Sequence, residues 1–250
     1  MVNRPRLKLL FSGLPAQCDT FHLGISSVVL VQTADQNILF DTGPYAYRPI
    51  LQGRLKKYDI DPLSIKMVVL SHIHWDTFAN ADLFPNAIIV VHARELDHGD
   101  SVETGDPRLP QYATKALRRL RLNVVRREEE LAPGVELIEL PGHTPGSQGL
   151  LAGDTLLAGD AVSWAGEAAG REAYEPPNDP IETQASLAKA LGKANIIYPC
   201  HDRPFRVGPT VSYVEDYALR LRLFTDPTGQ DEELRIGGFA PKSFASWPEE

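Results

Sequence analysis

Ser71-His72-Ile73-His74-Trp75-Asp76 is entered from the apolar run Met67-Val68-Val69-Leu70. A short apolar run that ends in polar residues reads as a buried strand. Two histidines two positions apart, where such a strand ends and its geometry turns irregular, can aim both imidazoles at one cation. Asp76 adds a hard oxygen donor from the following turn. Working outward, three more segments place a metal-ligating residue just after a strand-like run. They are His143 in Pro141-Gly142-His143-Thr144-Pro145-Gly146, Asp160 in Ala158-Gly159-Asp160, and His201 in Pro199-Cys200-His201-Asp202. Alone, a pair of histidines is incidental and a Pro-Gly-His-Thr-Pro-Gly run is a turn that happens to hold a histidine. Four such pieces in order point to one metal site.

The remaining composition bounds the class of protein. A chain of 250 residues buries a substantial core, and with no internal linker it reads as one domain over 1–226, with a tail over 227–250 packing on or extending it. At 43% hydrophobic and 23% charged residues, and with no apolar run near the roughly 20 residues of a membrane span, it reads as a soluble globular protein, expected in the cytoplasm. Leu7–Phe11 follows basic residues but is too short for a signal-peptide core. Cys18 and Cys200 stand apart from any C-x-x-C pattern, so both are expected to be free thiols. A net charge of −8 repels a polyanion and disfavours nucleic acid. The one basic cluster, Arg118, Arg119, Arg121, Arg126 and Arg127, runs into Glu128, Glu129 and Glu130 and reads as a solvated helix face.

Apolar patterning predicts strands at Leu7–Phe11, Ser26–Gln32, Asn37–Phe40, Lys66–Leu70, Ala87–Val91, Val135–Leu140, Gln148–Ala152, Thr155–Ala158 and Asn195–Tyr198. Helices are predicted over Tyr47–Tyr58, Asp76–Phe84, Gln111–Leu122 and from Asp179 or Pro180 to Leu191. Gly153-Asp154 reads as a hairpin turn. The polar stretches 98–110 and 167–179 read as a surface loop near the site and as a flap. Two facing sheets with outer helices accommodate this order.

Phe40-Asp41-Thr42-Gly43, the His72 to Asp76 run, Pro141 to Ser147, Ala158-Gly159-Asp160 and Pro199 to Asp202 together resemble the metallo-β-lactamase superfamily, in its glyoxalase II and lactonase-like branch. Leu83-Phe84-Pro85-Asn86-Ala87 and Pro204-Phe205-Arg206-Val207 further resemble relatives of metallo-β-lactamase domain-containing protein 1. The resemblance implies an α/β fold, an αββα four-layer sandwich with metal ligands along one edge. It implies His72, His74 and His143 around a first metal, with Asp160 bridging to a second held by Asp76 and His201. It also implies Asp41 behind the ligands, orienting one of them. Where the family pattern H-x-H-x-D-H ends in histidine, this chain has Thr77, a poor ligand for zinc or iron(II), so the second position loses a donor.

The expected cofactor is zinc, one or two ions, with iron or manganese as alternatives. A metal held by three histidines lowers the pKa of bound water to about 7 and polarises a carbonyl oxygen. Asp76 is then the candidate proton acceptor or donor. The leading expectation is a hydrolase acting on an ester, thioester or lactone of a small molecule, with a homodimer left open. Three alternatives stand beside it. One is a mononuclear iron oxygenase of the persulfide dioxygenase type on His72, His143 and Asp160. Another is a phosphodiesterase or ribonuclease, and the last a non-enzymatic binding protein pinned by one metal. Three other sequence features are weighed against the site. Trp75 and Phe78 either line a pocket or pack beneath the motif, His22 reads as a surface residue, and His98 reaches the second position only if its loop folds over the metal.

Overall fold

The computed structural model describes residues 4–16, 24–101, 105–214, 219–223 and 232–236. Its first half comprises β1 (Arg6–Phe11), β2 (Val28–Gln32), β3 (Asn37–Phe40), α1 (Arg48–Lys57), β4 (Ile65–Val69), α2 (Trp75–Phe78), β5 (Ile88–His92), α3 (Ala93–Asp100), α4 (Ala113–Leu117) and β6 (Leu122–Val125). The strands form one six-stranded sheet in the order β1-β2-β3-β4-β5-β6, antiparallel from β1 to β3 and parallel from β3 to β6. The second half comprises β7 (Glu129–Ala132), β8 (Val135–Glu139), β9 (Gln148–Ala152), β10 (Thr155–Gly159), α5 (Ala165–Ala168), α6 (Pro180–Lys193), β11 (Ile196–Pro199), β12 (Phe205–Arg206) and β13 (Ser212–Tyr213). They form a seven-stranded sheet in the order β13-β12-β11-β10-β9-β8-β7, with β10 and β11 parallel and the other neighbours antiparallel. Beyond it, β14 (Leu219–Leu223) and β15 (Glu232–Ile236) pair antiparallel.

Alternation along the central strands explains the layers, because successive side chains leave a strand on opposite faces. From β2, Val29 and Val31 point inward and meet Ile38, Phe40, Val69 and Val90 of the same sheet and Val135, Leu137, Leu150 and Leu157 of the other. Their neighbours Val28 and Leu30 face outward, onto Leu51 and Leu55 of α1 and onto Phe84, Leu96 and Leu117. On the far side, Ile138, Leu140, Leu156 and Ile197 pack against Ala190 of α6. Each fully buried Val or Leu contributes roughly 1.5–3 kcal/mol. The result is helix, sheet, sheet, helix. Strands buried on both faces read as continuous apolar runs, and that is why β2 and β4 are legible in the sequence.

One edge of the sandwich gathers strand ends. β3, β4, β5, β8, β10 and β11 all run the same way within their sheets, so the segments after their carboxyl ends meet there. The ends of open α/β sheets are where ligands bind, since the loops there are free of the ladder.

Several predicted elements change. The helix over Asp76–Phe84 is a single turn at Trp75–Phe78 followed by a 3-10 turn at Ala81–Leu83. Asn80 interrupts it, its side-chain amide facing the carbonyls of Thr42, Gly43 and Pro44 at 3.0–3.1 Å. The helix over Gln111–Leu122 shrinks to α4, because Leu122 and the residues after it pair with β5. The basic cluster is therefore not a helix face. Arg118 is paired with Asp100 at 2.6 Å, and Glu129 and Glu130 belong to β7. The loop 98–110 begins inside α3, whose N-cap His92 accepts from Arg94 N–H at 3.1 Å. Among the described residues, no helix is long and apolar enough to cross a membrane. Cys18, His22 and most of the tail lie outside the described residues.

Candidate metal centre

His72 and His74 leave the carboxyl end of β4 fully or nearly buried, and His143 arrives from the turn after β8. The three rings stand edge-on to one another, with centroids 4.5, 5.0 and 4.9 Å apart, and each offers a ligand nitrogen within 4.8 Å of the others. Neighbouring polar groups aim two of them. His72 Nδ1 lies 2.9 Å from Ser71 Oγ, which leaves Nε2 for the centre. His74 Nε2 lies 2.9 Å from Asp106 Oδ2, which turns Nδ1 inward, 3.1 Å from His143 Nε2. A carboxylate behind a metal-ligating imidazole fixes its tautomer and orientation.

Asp160, at the end of β10, reaches the same space. Its Oδ2 lies 3.5 Å from His72 Nε2 and 3.8 Å from His143 Nε2, while its Oδ1 lies 3.3 Å from His201 Nε2. His201 Nε2 is also 3.6 Å from Asp76 Oδ2, and its Nδ1 is held by the carbonyl of Ile25 at 3.0 Å. One carboxylate thus faces the His72 and His143 imidazoles with one oxygen and His201, beside Asp76, with the other. Cys200, free and buried, joins that pair, since a ligand atom of Asp76, Cys200 and His201 each lies within 4.8 Å of the other two.

The backbone near the ligands is held by buried polar contacts. Asp41 adopts a φ of 56° and accepts from the Ser71 N–H at 2.7 Å, fixing the residue that orients His72. Glu95 of α3 accepts from Ile73 N–H with one oxygen at 3.0 Å and from Gly146 N–H with the other at 2.8 Å. It therefore ties the first histidine segment to the turn that carries His143. Gly142 sits at a φ of 128°, where a Cβ would meet the Thr183 backbone nitrogen at 2.2 Å. Thr77 turns away from the centre. Its Oγ1 lies 2.9 Å from the His72 carbonyl and 3.0 Å from that of His74, and its own carbonyl accepts from Thr42 N–H at 2.7 Å.

Electrostatics sort the donors. Burial, with His74 alongside, holds His72 well below the ordinary imidazole value, and burial brings His143 down to about 3 against the pull of Asp160. Both are neutral at pH 7 and carry free lone pairs. Burial alone would raise Asp160, yet His201, His143 and His72 hold it well below the usual carboxylate range. His201 goes the other way, up to about 10, because Asp160, Asp76 and Glu175 outweigh its burial. Burial lifts Asp76 to about 6 and also raises Asp41.

The donor set fits a divalent metal. His72 Nε2 and Asp160 Oδ1 are buried with no hydrogen-bond partner, a situation that costs about 1–3 kcal/mol per group unless something answers it. Three imidazole nitrogens beside a carboxylate are a zinc-type donor set.

A model of the "Metallo-beta-lactamase superfamily" matches residues 23–201, which include every one of these ligand positions. The chain belongs to the metallo-beta-lactamase superfamily. Among its superfamily relatives, human "Metallo-beta-lactamase domain-containing protein 1" is 30% identical over 199 residues, 74% of this chain and 65% of that protein. An "N-acyl homoserine lactonase" from a Bacillus species is 31% identical over 113 residues, 43% of this chain and 42% of the lactonase. The chain thus spans less than two thirds of the length of either relative. The crystal structure of a B. thuringiensis AiiA mutant with N-decanoyl-L-homoserine bound at its active site superposes with a TM-score of 0.63, at 21% identity, over 80% of this chain and 94% of that one. That likeness supports the metallo-beta-lactamase αββα fold.

Of the expected site residues, His72, His74, His143, Asp160, Asp76 and His201 converge, Asp41 lies directly behind them, and Thr77 closes the turn. His98 does not reach the second position. It lies 3.8 Å from Asp106, which approaches His74 from the nitrogen that faces away from the centre. Phe78 packs in the core and Trp75 is partly exposed. Asp106, Glu95 and Cys200 carry no mark in the sequence as parts of the site. The first two act across 32 and 51 residues on ligand segments, and no local spacing signals such contacts.

Proposed function

We propose that the protein is a metal-dependent hydrolase acting on an ester, thioester or lactone of a small molecule. The observation that carries this reading is the meeting of His72, His74 and His143, neutral or oriented for ligation, with Asp160 beside them. Bound there, zinc lowers the pKa of its water to about 7 and polarises a carbonyl oxygen. The chain's own residues do the rest. Asp106 and Ser71 fix two of the rings. Asp76, buried beside His201, is placed to accept a proton and return it to the leaving oxygen or sulfur.

A cleft of about 500 Å³, lined by Pro15, Trp164, Arg171 and Tyr174, adjoins this edge. The Tyr174 ring lies 5.0 Å from that of His201, so the cleft opens beside the ligands, and its size suits a small molecule. The named lactonase relative supports an ester-like bond as the target. The oxygenase alternative needs His72, His143 and Asp160 alone on the metal, whereas His74 Nδ1, 3.1 Å from His143 Nε2, brings a third imidazole to the same point. The test is a screen of γ-lactones, thioesters and phosphodiesters with zinc-loaded and chelator-treated protein. Chelator-sensitive lactone or thioester turnover supports the reading, and oxygen consumption on thiols with bound iron contradicts it.

A further inference from the structure

We propose that the thiolate of Cys200 is a metal ligand that completes a second cation site with Asp76 and His201. The superfamily pattern fills that position with the histidine that Thr77 replaces here. The Thr77 hydroxyl cannot serve, because it is turned onto the carbonyls of His72 and His74. Cys200 can. Its sulfur, a carboxylate oxygen of Asp76 and a ring nitrogen of His201 lie within 4.8 Å of one another, and all three residues are buried. Donors on a tetrahedral zinc stand roughly 3.3–3.8 Å apart, so side-chain adjustments of well under a turn bring this set into range.

A second observation points into the same space. Asp160, 4% exposed, aims an oxygen without a hydrogen-bond partner at His201, 3.3 Å from its Nε2, while its other oxygen faces His72. That carboxylate is placed to bridge two ions. The backbone holds Cys200 in place, its N–H donating to the Val162 carbonyl and its own carbonyl accepting from Ser27 N–H at 2.6 Å. The side chain takes part in no disulfide.

On binding, the S–H bond breaks, its proton leaves to solvent and a sulfur–metal bond forms, with no change of oxidation state. A soft sulfur donor selects zinc, cadmium or cobalt over magnesium and manganese. With the second ion in place, Asp76 becomes a ligand, and its proton-transfer role belongs to the chain carrying one ion. The inference shares with the hydrolase reading only the premise that this edge takes up metal.

Cobalt(II) titration of metal-free protein tests it, because a thiolate ligand gives cobalt a charge-transfer band in the near ultraviolet. The expected result is a band that grows as the second equivalent binds, survives Cys18→Ser and disappears in Cys200→Ser, where stoichiometry falls from about two ions per chain to about one. Saturation without such a band, or a band that outlives Cys200→Ser, overturns the proposal. Should Cys200→Ser fail to fold, Cys18→Ser decides alone, since the chain holds two cysteines. Lactone turnover in protein that shows no sulfur band would remove this inference and leave the hydrolase reading standing.

Discussion

Glu95 and Gly146 are packed so closely that the Gly146 N–H donates to Glu95 Oε1 at 2.8 Å, and a Cβ on Gly146 would meet the Glu95 backbone nitrogen at 2.6 Å. With its other oxygen Glu95 holds Ile73, between the two histidines of the motif. Glu95→Gln keeps the size but replaces one acceptor oxygen by an amide that confronts an N–H. We expect a loss of about 1–3 kcal/mol in denaturant unfolding and a weakening of zinc binding by roughly tenfold or more. Unchanged affinity in a competition titration would show that the two ligand segments hold their register without it.

Asp106 acts on one ring. Asp106→Asn leaves the fold's apolar layers untouched and removes the charge that orients His74 through Nε2. Zinc affinity is expected to drop roughly 10- to 100-fold while the unfolding midpoint of the metal-free protein moves little. An equal fall in metal-free stability would mark Asp106 as a structural residue only.

Thr77→Val is nearly isosteric and removes the hydroxyl that two carbonyls share at 2.9 and 3.0 Å. The buried His72 and His74 carbonyls then lose that donor, at an expected cost of about 1–3 kcal/mol read by urea unfolding. A neutral effect would mean that these carbonyls are answered elsewhere.

Much of this site is legible in the sequence because its ligands sit just after strands whose apolar runs are short and continuous. His72, His74, His143, Asp160 and His201 each follow such a run, and strand ends at one edge of a sandwich must meet. What lies beyond the sequence depends on contacts over long separations. The end of α3 reads as loop because Gly99 and Asp100 weaken it, and its cap is His92, a residue type that does not announce an N-terminus. The helix predicted after the motif is too long because its amphipathic spacing continues, while Asn80 breaks it by reaching the carbonyls of the Thr42 loop. Asp106 lies in a polar stretch indistinguishable by composition from solvent-facing loop, and only the approach of His74 gives it a role.

Glu167 supplies a pH dependence away from the ligands. Burial raises its carboxyl from 4.5 to about 7, although the Ser163 N–H donates to it at 3.0 Å. A raised carboxyl pKa means that the folded chain keeps a proton the unfolded chain has lost. Stability is therefore full below about pH 4.5 and falls as pH climbs toward about 7. Glu167→Gln has no such proton to lose. Its unfolding free energy relative to wild type should improve by about 2–3 kcal/mol between pH 5 and pH 8. A constant difference across that range would mean that Glu167 titrates normally.

The proposed hydrolase depends on three imidazoles from two distant segments holding one reactive ion. Calorimetric zinc titration of metal-free wild type and of His143→Ala, each followed by lactone hydrolysis at saturating zinc, tests it most directly. Tight binding and turnover are expected in wild type, with affinity falling at least roughly 100-fold and turnover lost in the variant. Wild-type protein that takes up no zinc, iron or manganese, or a His143→Ala variant that binds and hydrolyses as wild type does, would contradict it.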